Sequence, residues 1–192
     1  MAGSVAAQRE ELPNKKARQM EEDIFLTASG DREAFARLYR AAASPVYAYA
    51  LSMLKNRQDA EDALHDCFVK VYQAAGSYDS RSKPMAWIMT IARNLCLRTL
   101  QLRCYTADIP DEDWESCLRQ REGLGSEERL IVQTCMHCLK EQERQILLLH
   151  AVAGFKHREI AAFLNMPLAT VLSKYSRAAK KLKSVLEGES VI

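Results

Sequence analysis

A chain of 192 residues has room for one or two modest domains with a true hydrophobic core. Its 48% hydrophobic and 27% charged residues exclude wholesale disorder, and 27 Lys and Arg against 25 Asp and Glu leave +2, a sum that points to no partner by itself. Seven Gly, five Pro and 7% aromatics favour helices over a turn-rich sandwich; no apolar run approaches the ~20 residues of a membrane span, and Met1–Met20 has no continuous apolar core. The expectation is an all-α cytoplasmic protein without membrane insertion, its six cysteines reduced.

In chain order, residues 1–22 read as an N-terminal tail, with Pro13-Asn14-Lys15-Lys16 breaking any periodicity. Asp31 is a candidate N-cap, after which Phe35, Leu38, Tyr39 and Ala42 share one helical face. Ser44-Pro45 restarts the chain, and Tyr47, Ala50, Leu51 and Leu54 repeat the spacing. Asp59 and Asp62 resemble a capping box ahead of a third helix with the stripe Leu64, Cys67, Phe68, Val71 and Ala75. Gly76–Lys83 reads as a loop, and Pro84 opens a fourth helix with Ile88, Ile91, Ala92, Leu95, Thr99 and Leu102 inward. Periodicity stops between Cys104 and about Ser126, where acidic residues, Pro110, Gly123 and Gly125 read as a linker. The expected organisation is a tail (1–22), a helical domain (23–103), an acidic linker (104–126) and a second helical domain (127–192).

In the second domain, Arg158–Leu164 makes a short helix, Asn165-Met166-Pro167 a tight turn, and Leu168, Val171, Tyr175, Ala178, Leu182 and Val185 the inward stripe of a longer helix. The other faces of that helix carry Thr170, Ser173, Lys174, Ser176, Arg177, Lys180, Lys181 and Lys183. A short helix, a turn and a basic second helix have the form of a helix-turn-helix, whose second helix enters the major groove. A merely solvated bundle face is the plainer alternative, but four lysines in ten residues, balanced nearby only by Glu187, favour DNA.

The first domain carries a family resemblance. Asp59-Ala60-Glu61-Asp62-Ala63-Leu64-His65-Asp66-Cys67-Phe68, then Ala86-Trp87-Ile88 and Ile91-Ala92-Arg93-Asn94-Leu95, resemble region 2 of bacterial sigma factors. Leu139-Lys140-Glu141, Gly154-Phe155, Thr170-Val171 and Ala178-Ala179-Lys180-Lys181-Leu182 resemble region 4. Together, on a short linker, they resemble an extracytoplasmic-function sigma factor of the sigma-70 family over about residues 30–187.

That resemblance implies a transcription initiation factor whose partners are core RNA polymerase, promoter DNA and, as a further candidate, an anti-sigma factor. It implies that Glu61, Asp62, His65, Asp66, Phe68, Lys70 and Gln73 face core polymerase. It implies contact with the minus-ten element by Ser77, Tyr78, Arg81, Lys83, Thr90, Arg93, Asn94 and Arg98. The minus-thirty-five element would meet Lys156, Arg158, Thr170, Ser173, Lys174, Arg177, Lys180 and Lys181. Trp87 fits a core position better than a stacking platform. The sequence departs from the family's usual pattern at Lys156 (normally a Ser or Thr cap), Leu172, Thr90 and Leu139-Lys140, so promoter preference does not transfer.

Cys135-Met136-His137-Cys138 is a CxxC, yet a second ligand pair is missing nearby, and Ile131, Thr134, Cys135 and Cys138 share one helical face, which suits buried thiols without metal. No phosphate-binding Gly-rich loop, G-x-S-x-G or H-E-x-x-H is present, so neither catalysis nor a cofactor is expected of the chain. The competing functional reading is a helix-turn-helix regulator that acts without core polymerase.

Overall fold

The structure is a computed structural model that describes residues 3–79, 83–103 and 138–186; the acidic linker, Arg81, Cys104, Cys117 and Cys135 lie outside them. Every regular element among the described residues is helical: α1 (Gly3–Ala28), α2 (Arg32–Leu54), α3 (Arg57–Ala74) with a 3-10 turn (Ala75–Ser77), α4 (Pro84–Arg103), α5 (Glu141–Ala151), α6 (His157–Leu164) and α7 (Leu168–Leu186).

The first difference from expectation is α1, which runs through the stretch read as a tail. Met20, Asp23, Ile24 and Thr27 fall at i, i+3, i+4, i+7 and are all buried, so one stripe of α1 docks on the bundle. Two of the four are polar and need partners. Asp23 receives the Arg37 guanidinium of α2 at 2.8 Å, and the Thr27 hydroxyl donates to the Asp23 carbonyl at 2.6 Å.

Asp31 caps α2 as its position suggests: Oδ1 accepts from the amides of Glu33 at 2.8 Å and Ala34 at 3.1 Å. The expected restart at Ser44-Pro45 does not occur, and α2 continues through Pro45 to Leu54. Proline removes one N–H and crowds the carbonyl four residues back, a local cost that tertiary burial offsets here, since every residue from Pro45 to Leu54 is buried. The helix stops at Lys55, which is left-handed (φ 51°) with its N–H on the Leu51 carbonyl. Asn56 rather than Asp59 then caps α3, its side chain accepting from the Asp59 amide at 2.9 Å.

Burial around the whole circumference of α2 requires neighbours on both sides. Helices α1, α3 and α4 pack on it from the first half of the chain, and α5 packs on it from the second. Helix α5 is itself buried from Glu143 to Leu149 because it lies between α2 and α7. The stripe expected on α3 is buried as read; of that on α4, Ile88 and Ala92 are buried, Ile91, Leu95 and Thr99 half-buried and Leu102 exposed, and on α2 Tyr39 is exposed as well.

The docking of α1 has a measurable consequence. Replacing Ile24 by Ala should lower the unfolding free energy of the whole chain by about 2–5 kcal/mol, as large-to-small core changes do. Replacing exposed Glu22 by Ala should change it by less than about 0.5 kcal/mol. Urea denaturation of both variants checks this; equal, small effects would return α1 to a tail.

Candidate nucleic-acid interface

The helix-turn-helix is assembled from α6, its turn and α7. Lys156 opens α6 without a side-chain cap; the Glu159 carboxylate instead turns back and accepts from the Lys156 amide at 2.9 Å. Asn165 takes the left-handed conformation (φ 53°) that a non-glycine turn demands, and the Met166 amide closes the turn on Ala161 at 2.9 Å. The Pro167 carbonyl accepts the first bonds of α7, from Thr170 and Val171. Val171 and Ala178 are fully buried and Leu168, Tyr175 and Leu182 half-buried, while Val185, expected inward, is exposed.

Along α7, Ser173, Arg177 and Lys180 are exposed on one side, and Thr170 and Lys174 are half-buried beside them. Lys156 and Arg158 are exposed at the start of α6. Lys181 behaves differently from the expectation: its ammonium sits 2.8 Å from the Glu143 carboxylate of α5, whose side chain is 5% exposed. Burial works against the charge on Glu143, yet hydrogen bonding from Lys181 and the Lys140 amide holds its pKa below the usual value. Lys181 therefore ties α7 to α5 and is not offered to a phosphate. The sequence reading passed over Ser176 and Leu172 as contacts; both are exposed, and Ser176 stands three residues beyond Ser173, a helical spacing that was available as a signal.

On α3, Asp62, His65, Asp66, Lys70 and Gln73 are exposed, with Glu61 half-buried in an ion pair with Arg57 at 2.8 Å. Phe68 is not on that surface. It is 4% exposed, because its spacing from Leu64, Cys67 and Val71 places it on the inward stripe, and its ring lies 4.6 Å from that of Tyr39. The exposed apolar groups beside α3 are Tyr39, Val69 and Tyr72, none singled out as contacts from the sequence.

Around the loop, Ser77 is exposed, but Tyr78 is buried. Its hydroxyl donates to Glu21 at 3.2 Å and its ring lies between Phe25 and Trp87. Burial, then the charge of Glu21, pushes its pKa up to about 12. At 8% exposure, with its ring against Phe25 and Trp87, it offers little face for a base to stack on. Trp87 is half-buried against the core. Thr90, Asn94 and Arg98 are exposed at successive i+4 positions of α4, which makes them a continuous line. Lys83 pairs with Glu159 of α6 at 3.7 Å, and the half-buried Arg93 holds its guanidinium 5.7 Å from the centre of the Phe163 ring. Among the described cysteines, Cys67 and Cys96 are buried thiols whose pKa values burial pushes up to about 12, and Cys138 is half-buried. No group of three or more metal-ligating side chains occurs among the described residues.

Comparison with known proteins gives the family of both halves. The family described as Sigma-70 region 2 matches residues 33–103, and that described as Sigma-70, region 4 matches residues 129–182. The chain is 27% identical over 182 residues to an ECF RNA polymerase sigma factor SigK of Mycobacterium sp. (strain KMS), covering 85% of this chain and 90% of the relative. It is 25% identical over 169 residues to SigK of Mycobacterium tuberculosis (strain ATCC 25177 / H37Ra), covering 83% and 89%. In three dimensions it is similar to CnrH, solved in complex with the cytosolic domain of CnrY (TM-score 0.60, 24% identity, 90% of this chain and 99% of that one). It is also similar to the sigma factor RpoE of Bartonella quintana, solved with the anti-sigma factor NepR (TM-score 0.59, 21% identity, 81% and 98%).

One ring cluster joins α5 to the helix-turn-helix. The His150 and His157 rings stack at 4.5 Å, and both meet the Tyr175 ring edge-on at 4.9 and 4.5 Å. His150 donates from Nδ1 to the Phe155 carbonyl at 2.8 Å, and the buried Nε2 of His157 has no hydrogen-bond partner. Burial, then the neighbouring His150, lowers the His157 pKa below 6.5. A histidine held neutral in the fold contributes stability above its unfolded pKa and loses it as pH falls through the folded value. Thermal unfolding should therefore show a falling Tm from about pH 7.5 to about pH 5.5, a slope that His157→Gln should flatten. The Glu143 contribution is lost only at lower pH, below its usual carboxylate range. An equal slope in the His157→Gln protein would contradict the assignment.

Proposed function

The chain belongs to the sigma-70 family, in the two-region form of the extracytoplasmic-function sigma factors, and from that premise we propose which of its surfaces does what. It is an RNA polymerase sigma factor: it binds core polymerase and directs DNA-templated initiation at promoters. It acts in the cytoplasm, and the bond-forming chemistry belongs to the polymerase.

The observation that carries the division of labour is the opposition of charge between two exposed helix faces of one chain. The face of α7 with Ser173, Arg177 and Lys180 suits DNA, as do Lys156 and Arg158 nearby. The face of α3 with Asp62 and Asp66 would repel the same phosphates, so it suits a basic protein surface, the role of core polymerase. The aromatic and apolar groups Tyr39, Val69 and Tyr72 beside it supply the buried anchors that such an interface requires. A DNA-binding regulator acting alone has no use for that acidic, aromatic side.

In this reading the recognition helix α7 enters the major groove at the minus-thirty-five element, with Thr170, Ser173, Lys174, Ser176 and Arg177 nearest the bases and Lys180 on backbone phosphate. The line Thr90, Asn94 and Arg98, with Lys83 and Arg93 beside it, receives the opened minus-ten strand. Unstacking a base costs a few kcal/mol, which hydrogen bonds and phosphate contacts along α4 offset. Tyr78 and Phe68 support these surfaces from beneath, and Lys181 braces α7 against α5. An anti-sigma factor is a further proposed partner, since RpoE is solved with the anti-sigma factor NepR and CnrH with the cytosolic domain of CnrY.

Asp62→Lys with Asp66→Lys should weaken holoenzyme formation at least tenfold in a titration with core polymerase. Ser173→Ala or Arg177→Ala should alter the preferred upstream sequence by about 1–3 kcal/mol per lost base contact. Lys180→Ala should weaken binding evenly and lower the salt slope by about 1. Lys181→Ala should act instead on stability, by about 1–3 kcal/mol, because Glu143 is left buried without its cation. Unchanged core binding by the α3 variant would remove the interface, and a sequence-neutral effect of Arg177→Ala would remove it from base reading.

A further inference from the structure

Helix α1 reaches the place where the chain passes from α3 to α4. Tyr78 follows the 3-10 turn and Lys83 precedes α4, so the two bracket that connection. One hydroxyl ties both to α1: Tyr78 donates to the Glu21 carboxylate at 3.2 Å, and the backbone N–H of Lys83 bonds to the same phenolic oxygen. The Tyr78 ring is held as well, edge-on to Phe25 at 6.0 Å and 5.0 Å from Trp87. Glu21 and Phe25 are about one helical turn apart on α1 and so share the face turned to Tyr78. The Lys83 carbonyl in turn accepts from the Trp87 amide at 3.1 Å, in the first turn of α4.

Helix α1 is already docked by Met20, Asp23, Ile24 and Thr27, with Arg37 on Asp23. Glu21 stands beside that stripe, half-buried, and reaches a side chain 57 residues away. Its bond therefore adds little to the attachment of α1 and much to the placement of Tyr78. The Tyr78 hydroxyl, its pKa about 12, stays protonated at neutral pH and needs an acceptor, which Glu21 supplies. The line Thr90, Asn94 and Arg98 lies on the helix that Lys83 leads into. A strand received along that line must meet it in register, and a displacement on the order of 1 Å at a reacting site can cost about 10²-fold in rate. Glu21 precedes the region 2 match, which begins at residue 33.

We propose that Glu21 is a positioning residue for promoter opening: acting through the Tyr78 hydroxyl, it fixes Tyr78 and Lys83 relative to α4, and with them the geometry in which the unpaired minus-ten strand is received. The proposal rests on the sigma-factor reading above. Glu21 touches no nucleotide, since its carboxylate would repel the phosphate backbone; it works from beneath, through a neutral phenol. The loss on its removal falls on the rate of opening once the promoter is bound. The faces proposed for core polymerase, on α3, and for the upstream duplex, on α7, lie elsewhere in the chain.

Holoenzyme reconstituted from the full chain and core polymerase, saturating on a promoter fragment, gives the opening rate from the appearance of permanganate-reactive thymines. Glu21→Ala should slow opening about five- to tenfold, while the concentrations for half-maximal core binding and promoter binding shift by less than about twofold. Glu21→Gln keeps an acceptor oxygen and should hold the rate within about twofold of the unaltered chain. Glu22→Ala removes the same charge one residue along and should leave the rate unchanged. Tyr78→Phe should be at least as slow as Glu21→Ala, and the double variant no slower than Tyr78→Phe alone, because both break one connection. A variant that had merely lost stability would lower the amplitude, the fraction of active complexes, and not the rate of those that remain. Opening at the unaltered rate in Glu21→Ala, a Glu21→Gln as slow as Glu21→Ala, or additive effects in the double variant overturns the proposal and leaves the sigma reading intact. Absence of any core-dependent opening by the unaltered chain would instead strike at that reading. If Glu21→Ala fails to fold by circular dichroism, Tyr78→Phe decides, and its opening at the unaltered rate overturns the proposal.

Discussion

Everything in the fold depends on the burial of the second half of α2 around its full circumference. From Pro45 to Leu54 every residue of that helix is buried, so no single neighbouring layer can satisfy it. Helices α1, α3 and α4 cover one part and α5 covers the rest, which makes α2 the common support of both halves. The surfaces follow from this. With α3 and α4 locked against α2 by Leu64, Cys67, Val71, Ile88, Met89 and Ala92, their remaining faces point outward, one acidic and one carrying the Thr90–Asn94–Arg98 line.

Helix α5 transmits that support to the helix-turn-helix with adjacent charges of opposite sign. Arg144 reaches back to α2 and Glu143 reaches forward to Lys181 of α7. Charges this deep stabilise little beyond an apolar pair of the same shape, but removing one partner is expensive, so they act to fix register more than to add stability. The stacked His150–His157 pair with Tyr175 fixes the other end of the same junction, where α5, α6 and α7 meet. Helix α7 is thereby braced against α5, the condition for the base reading proposed for short side chains such as Ser173.

The parts legible in the sequence are those governed by local chemistry. Asn165-Met166-Pro167 has the turn residues that a helix-turn-helix needs, Asp31 has the acceptor that α2 needs, and the stripe of α3 repeats at helical spacing; each appears in the structure as read. What was not legible depends on partners distant in the chain. The stripe of α1 is half polar, and Asp23 becomes a docking residue only because Arg37 stands opposite. Pro45 looks like a boundary, yet α2 runs through it into a buried segment that α5 meets from 92 residues away, Arg144 bonding to Ser52. In the site, Phe68 and Tyr78 carry the residue types of contacts but are held inward by Tyr39 and Glu21, and the pairing of Lys181 with Glu143 spans 38 residues. Side-chain type indicated the chemistry, and tertiary position decided which side chains could perform it.

The central claim is that this chain opens promoter DNA only together with core polymerase, one half reading and the other separating strands. Permanganate, which attacks unpaired thymines, tests it most directly on a promoter fragment mixed with the chain, the core enzyme or both. The account predicts reactive thymines in a short tract near the minus-ten position only when both are present, and their loss in Asn94→Ala while upstream protection persists. Equal sequence-specific protection by the chain alone, with no reactive thymine in the complete mixture, would contradict it.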